Sequence, residues 1–399
     1  MKDASSRDTT HARLGDAKAH LRDLIGFDTV SKNSNRALID HMAAHFEGLG
    51  GEITILPDET GEKANLVVRF GPADRPGIAL SGHTDVVPAR AQNWSTPPFE
   101  MHERNGRLYG RGSCDMKGFA ACVMAAMQDI GSVDLKRPLY LCFSHDEEVG
   151  CLGAPAIARH LAALDVPPGL AIIGEPSDMT LVTGQKGKIA MRAFVRGTAG
   201  HSSFAPHHVN AVHYAARAIS LIEDRARRYE AEGPFDLEFT VPHATTLVTM
   251  IEGGVATNVT PDQCSFTFEL RSIDEGAAQA DMDALLSEIT GTLGAEMSER
   301  HPEAGITFER IFAYPAMGDA SGTDGFRALR SIMPDWSGKV SYGSEGGVFE
   351  IAGGIPAVIV GPGSIKQAHK ADEFVEIDQI DACLGFLGRL FDEVGVQTD

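Results

Sequence analysis

Four short apolar runs, 77–81, 138–144, 170–174 and 357–360, each stop close to an ionisable side chain. The first runs into His83 and Asp85, the second into His145-Asp146-Glu147-Glu148, and the third into Glu175. The fourth passes through Gly361-Pro362-Gly363-Ser364-Ile365-Lys366-Gln367-Ala368 to His369. Apolar runs of this length read as strands buried on both faces, and such strands need helices on either side of their sheet. Helical patterns do alternate with them. One at 118–130 carries Phe119, Cys122, Val123, Ala126, Met127 and Ile130 on one stripe; others fall at 155–164 and 377–394, and two open the chain at 12–25 and 37–49. A further strand is expected at 65–70. The expected fold class is α/β, a sheet covered by helices.

The middle of the chain has a different texture. Residues 187–197 alternate apolar and polar, so one face of that strand should be wet. An amphipathic helix follows at 209–226, with Val209, Val212, Ala216, Ile219, Ile222 and Ala226 on one side. Strands at 246–252 and 263–271, a helix at 279–293 and a strand at 306–312 complete the order strand, helix, strand, strand, helix, strand. That is the split βαβ, ferredoxin-like α+β sandwich. The expected organisation is a domain of 1–186 and 313–399 interrupted by an inserted domain of 187–312. The amphipathic helix is expected to be core of that domain.

In an open α/β sheet ligands bind beyond the carboxyl ends of the strands. A further acid, Asp115, lies in Gly110-Arg111-Gly112-Ser113-Cys114-Asp115-Met116-Lys117-Gly118, just before a helix. Two histidines and four carboxylates are thus delivered to one edge by separate segments. Read singly, each has an ordinary explanation. His83 would be a core histidine satisfied by its neighbour, Glu147-Glu148 a solvated turn, Asp115 a helix N-cap and His369 a surface histidine beside Lys366 and Lys370. Their joint placement is what needs a cation, because converging carboxylates repel one another. Two imidazoles with three or four carboxylates suit zinc or a similar divalent ion. Five ligands exceed one open tetrahedral zinc and fit two metals sharing a carboxylate.

The segments SGHTDVVP, YGRGSCDMKGF, SHDEEVGCLGA, GEPSD, GTAGHSS and GPGSIKQAH, in this order, resemble the di-zinc family of acetylornithine deacetylases, succinyl-diaminopimelate desuccinylases, aminoacylases and related carboxypeptidases. The resemblance runs from about residue 24 to the C-terminus. NWSTPPFE, GRLYGRGSCDMKGF and GPGSIKQAHKADEFVE look most like the acetylornithine deacetylases. It implies a di-zinc exopeptidase-like catalytic domain with a mixed sheet, and an inserted lid or dimerisation domain. It implies that His83 and Glu175 bind one metal, Glu148 and His369 the other, and that Asp115 bridges them before a cis peptide to Met116. The metals implied are two divalent ions, zinc first and cobalt as the alternative. Asp85 would hydrogen-bond the His83 imidazole and set its tautomer. Glu147 would be the general base toward water and then the proton donor to the leaving amine. His201 would stabilise the oxyanion, reaching the site from the partner subunit in dimeric relatives. Arg271 and Asn258 match positions that bind a substrate carboxylate, and Glu345 is a candidate partner for a cationic ornithine side chain. Read without the family, His201 is a turn histidine and Arg271 an exposed strand residue. The GSEGG around Glu345 departs from the threonine that such deacetylases tend to carry before the acid.

The activity implied is hydrolysis of N-alpha-acetyl-ornithine to ornithine and acetate, in arginine biosynthesis. A related desuccinylase, aminoacylase or dipeptidase is the alternative, and a non-catalytic binding protein on the same fold a third reading. The last is disfavoured because His83, Asp115, Glu147, Glu148, Glu175 and His369 are all present. A formal net charge of −20 argues against nucleic acid and anionic membranes as partners. The partner expected is a small N-acyl amino acid, with a homodimer through the inserted domain implied by the resemblance. The first twenty residues are polar and hold no apolar stretch of the kind that opens a secretory signal, and no run is long enough to span a membrane. The six cysteines are scattered without a CxxC pair, as in buried thiols of a reducing compartment, so a cytoplasmic setting is expected.

Overall fold

A computed structural model describes residues 3–90, 92–132, 134–333 and 336–395; the outermost residues of the domain bounds above, 1–2 and 396–399, lie outside these. The four apolar runs become neighbouring strands. Ile78–His83 pairs in parallel with Leu139–Ser144 on one side and Leu170–Ile173 on the other, and Leu170–Ile173 pairs in parallel with Ala357–Ile359. Because all four point the same way, their carboxyl ends open on one edge. Antiparallel strands extend this core. Ala64–Phe70 pairs with Leu139–Ser144, Glu52–Pro57 with Ala64–Phe70, and Leu181–Gln185 with Ala357–Ile359. With Trp336–Val340 the result is an eight-stranded mixed sheet.

Both faces are covered, as the continuous burial of Leu139–Ser144 requires. On one face Leu66, Val68, Leu80, Leu141, Phe143 and Ile172 join a core with residues of the helices Arg36–Gly48, Lys117–Ala126 and Ile377–Gly395. The helices Ala154–Ala162 and Gly346–Gly353 pack against the sheet and against each other. Lys117–Ala126 is buried along its whole length, and after Lys117, whose Nζ donates to the Leu24 and Phe27 carbonyls, its composition is apolar on every side. Its Phe119 ring fills the space where a side chain at Gly174 would stand, 2.1 Å from an ideal Cβ there. The residue before Glu175 is therefore a glycine for want of room. A small sheet of His102–Arg104, Arg107–Tyr109 and Phe374–Glu376 lies outside the large one.

The second compact unit comprises residues 185–316 and 339–343. Its four antiparallel strands lie in the order Thr245–Gly253, Gln263–Ser272, Gly187–Arg196, Gly305–Tyr314. The helices Ala211–Glu232 and Glu275–Ile289 contribute Tyr214, Ala218, Ile222, Met282 and Leu285 to its core. Arg192, Phe194 and Arg196 alternate outward along the central strand. The helix expected at 209–226 starts at Ala211, where the Asn210 side chain accepts from the His213 N–H, and runs to Glu232 before Gly233 at φ 73°. Its last turns carry charged residues and alanine, good helix formers that add little to the apolar stripe. The unit also takes in the return segment 339–343, beyond the inserted domain expected from sequence. There Lys339 Nζ lies 2.6 Å from Asp236 and 3.0 Å from Glu238. Among the described residues no helix is long and apolar enough to cross a membrane.

Candidate metal centre

His83 is the last residue of its strand and is almost fully buried. Its Nδ1 donates to the main-chain carbonyl of Asp85 at 2.8 Å, which leaves Nε2 facing Asp115 Oδ1 at 2.9 Å and Glu175 Oε1 at 3.8 Å. Asp115 stands on the turn before the helix Lys117–Ala126, next to a cis Asp115–Met116 peptide. Its second oxygen lies 3.2 Å from His369 Nε2, and Glu148 Oε2 lies 3.0 Å from the same nitrogen. Two triads result, His83–Asp115–Glu175 and Asp115–Glu148–His369, each with its ligand atoms within 4.8 Å of one another. Asp115 belongs to both.

The electrostatics of the triads favour cations. Burial pushes Glu175 well above the usual carboxylate range, and repulsion from Asp115 and Glu147 adds to it. Glu148 is pushed up to about 7 by burial and then by Asp115. Burial likewise raises Glu147, with Glu148, Asp115 and Asp85 adding to the rise against the pull of His83. Hydrogen bonds to Asp115 and Glu148 carry His369 up to about 11. Of these acids only Asp115, buried but hydrogen-bonded by both histidines, is held below the ordinary range. With the three glutamates raised this far the cluster is short of positive charge, and two divalent cations would supply it. An N/O donor set of two imidazoles and three carboxylates, one of them shared, suits a pair of divalent metal ions.

The turn 145–148 is held by residues that sequence reasoning missed. Lys63 Nζ donates to both oxygens of Asp146, at 2.5 and 2.6 Å, and to the carbonyl of Ser31. Asp146 itself is in the left-handed region at φ 57°. Cys151 Sγ donates to Glu147 Oε1 at 3.5 Å. Lys63 and Asp146 are ordinary charged residues in sequence, and only the turn geometry makes them partners.

Two expectations need correcting, and one is refined. Asp85 does hydrogen-bond the His83 ring, but through its main-chain carbonyl, since the carboxylate Oδ1 is 3.7 Å from Nδ1. Its oxygens instead accept from the N–H groups of Glu147 at 3.0 Å and Glu148 at 3.3 Å and from the Ser31 hydroxyl at 2.7 Å. The carbonyl of Asp85 does the work on the ring because the carboxylate is drawn to these three donors. Glu345 is not free to pair with a substrate cation. It is 1% exposed, and its oxygens accept from the hydroxyls of Ser81 and, at 2.7 Å, Ser144. Arg271 is half-buried, not the exposed strand residue of the reading without the family. Its Nε donates to Glu269 at 2.8 Å and Nη1 reaches the Ser341 carbonyl at 3.4 Å.

Within the second unit, Gly200–His201 pairs with Val259–Thr260, and the Asn258 carbonyl accepts from the Ser202 N–H at 3.0 Å. His201 and Asn258 are thus neighbours on one short ladder, both exposed. His201 Nδ1 accepts from the Ser203 N–H at 3.2 Å, which leaves the proton of the neutral ring on Nε2.

Residues 79–393 match the model of Peptidase family M20/M25/M40. An acetylornithine deacetylase of Proteus mirabilis (strain HI4320) is 32% identical over 372 residues, 92% of this chain and 92% of its own. A metallo-carboxypeptidase of the M20 family from Sulfolobus solfataricus superposes with a TM-score of 0.75 at 16% identity, covering 94% of this chain and 98% of its own. A dinuclear metal binding peptidase of the M20 family from Bacillus subtilis does so with a TM-score of 0.67 at 16% identity, over 96% and 98%. The family match spans the strand ends, the shared aspartate and the helices behind them, and so the chain belongs to Peptidase family M20/M25/M40 and is a metal-dependent hydrolase.

Proposed function

We propose that this protein hydrolyses the amide bond of N-alpha-acetyl-ornithine, giving ornithine and acetate for arginine biosynthesis. The observation that carries the reading is the pair of triads about Asp115 with an acid, Glu147, that belongs to neither. The deacetylase relative at 32% identity directs it to this substrate. Divalent cations held by His83, Asp115 and Glu175 and by Asp115, Glu148 and His369, zinc first and cobalt as the alternative, would supply Lewis-acid chemistry, polarising the amide carbonyl and acidifying a water.

Glu147 takes a proton from the attacking water and returns it to the leaving amine. Burial raises its pKa, which suits a group that must hold the proton between the two steps. Asp85 orients His83 through its carbonyl and Glu147 through its carboxylate. His201 donates its Nε2 proton as a hydrogen bond to the oxyanion of the tetrahedral intermediate. Asn258 and Arg271 engage the substrate carboxylate, for which a guanidinium is suited by its fork of donors. The reading extends to a cytoplasmic homodimer joined through the second unit. Six unpaired, buried cysteines support a reducing compartment. The edge strand Thr245–Gly253, with Leu247, Met250 and Ile251 exposed, supports the dimer. A monomer in sedimentation experiments would remove that part.

One observation favours a related N-acyl-amino-acid hydrolase or dipeptidase instead. Glu345, the candidate partner for the ornithine cation, is occupied by Ser81 and Ser144. A panel of acetyl-, succinyl- and peptidyl-amino acids, assayed with the metal-loaded protein, separates the readings. The proposal expects the highest kcat/KM on N-alpha-acetyl-ornithine. A clear preference for a succinyl or peptidyl substrate would move the protein to a sister activity.

A further inference from the structure

The segment that presents Asp115 has no regular secondary structure, with Gly110 at φ 157° and Gly112 at φ 84°. Something other than a helix or strand ladder must fix it. That role falls to Glu373, which is 1% exposed. Its Oε1 accepts from the N–H groups of Cys114 at 2.9 Å and Asp115 at 3.0 Å. Its Oε2 accepts from the Gly112 N–H at 3.1 Å and from Arg111 Nη1 at 2.7 Å. Its own carbonyl accepts from the Gly110 N–H at 3.0 Å. Four donors thus converge on the two oxygens of one carboxylate.

Glu373 is also four residues after His369, on the segment that presents that ligand. Here Gln92 closes a circuit. Its Nε2 donates to the His369 carbonyl at 3.1 Å while its Oε1 accepts from Arg111 Nη2 at 2.5 Å. Arg111 is itself 1% exposed, with its guanidinium 4.9 Å from the centre of the Trp94 ring. Asp115 and His369 are thus linked through Glu373, Arg111 and Gln92 by groups that touch no other ligand. His83 and Glu175 stand on strand ends outside this circuit.

We propose that Glu373, with Arg111 and Gln92, is a positioning unit for the Asp115–Glu148–His369 triad, fixing the separation of Asp115 and His369 that a divalent cation there requires. The inference rests on the metal-centre reading above and assigns a task to residues outside both triads. Because Asp115 belongs to both triads, loss of Glu373 weakens both cations, whereas loss of Gln92, which reaches only His369, weakens one far more than the other, a distinction a purely structural role would not make.

The test is calorimetric titration of metal-free protein with Zn2+, paired with the visible spectrum on addition of Co2+. Glu373→Gln replaces one acceptor by a donor facing N–H groups. It is expected to weaken both equivalents, because Asp115 is shared, and at least one of them by about 10–100-fold, the range found when groups supporting metal ligands are lost. Gln92→Ala, at a half-buried position that leaves the Glu373 contacts intact, is expected to weaken one equivalent by about 10-fold and the other by no more than about 3-fold. The Co2+ spectrum should lose the contribution of one site in Gln92→Ala. Two equivalents at parental affinity in either variant, or equal weakening of both equivalents in Gln92→Ala, would overturn the inference while leaving the metal centre standing. A parent protein that binds neither ion would overturn the metal centre too.

Discussion

His83 and Asp85 are joined through the aspartate's main-chain carbonyl, 2.8 Å from Nδ1, and not through its carboxylate. The carboxylate bridges instead to the N–H groups of Glu147 and Glu148. One residue therefore aligns a ligand with its backbone and the neighbouring acids with its side chain. Asp85→Asn leaves the carbonyl in place but turns an amide N–H toward one of these N–H groups. The expected result is a kcat lower by about 10–100-fold, the usual cost of losing such a supporting group, with uptake at the His83 triad close to the parent. A matched loss of metal and turnover would show that the carboxylate acts on His83 after all.

Glu147 is half-buried beside both triads and belongs to neither. Glu147→Gln keeps its shape and removes its basicity. Turnover should fall by about 10²–10⁴-fold, the typical contribution of a general base, while metal content by elemental analysis stays at the parent value. Parental turnover in this variant would reject the mechanism.

His201 offers an Nε2–H because its Nδ1 is taken by the Ser203 N–H. For a single oxyanion donor the expected loss in His201→Ala is about 10²–10³-fold in kcat. Metal content should not change. An unaltered kcat would leave His201 as a turn residue of the second unit.

The turn that carries Glu147 and Glu148 has its own pH signature. Burial is the largest influence on Asp146 and pushes it up, but His145, 3.2 Å away, and the hydrogen-bonded Lys63 outweigh it, so its folded pKa is below the ordinary value. A depressed carboxylate contributes stability that is fully present above its unfolded pKa, about 3.9, and lost as pH falls through the folded value. Asp146→Asn should therefore be less stable than the parent at pH 7, and the gap in denaturant midpoint should close as pH falls below about 4. A gap that stays constant or widens on acidification would place the stability elsewhere.

How much of this could be read from sequence depends on what each feature is made of. The strands 78–83, 139–144, 170–173 and 357–359 were legible because strands buried on both faces must be apolar throughout. Once they are parallel neighbours, His83, Glu148 and Glu175 must share an edge, and the ligand residues follow from residue type. The division of labour at Asp85 was not legible, because carbonyl and carboxylate belong to the same residue and the choice is made by the 147–148 backbone. Glu345 was misjudged for a similar reason. Nothing in GSEGG reveals that Ser81 and Ser144, 264 and 201 residues away, supply its donors. The three-residue strands Arg107–Tyr109 and Phe374–Glu376, which set Glu373 beside the Asp115 turn, are too short to leave a periodicity.

Anomalous diffraction from crystals grown with Zn2+ tests the central claim most directly. Two peaks about 3.5–4 Å apart on either side of the Asp115 carboxylate are predicted, as in two-metal hydrolases. One should be completed by His83 and Glu175 and the other by Glu148 and His369. Fully loaded crystals with a single peak, or with zinc bound only away from Asp115, would contradict it.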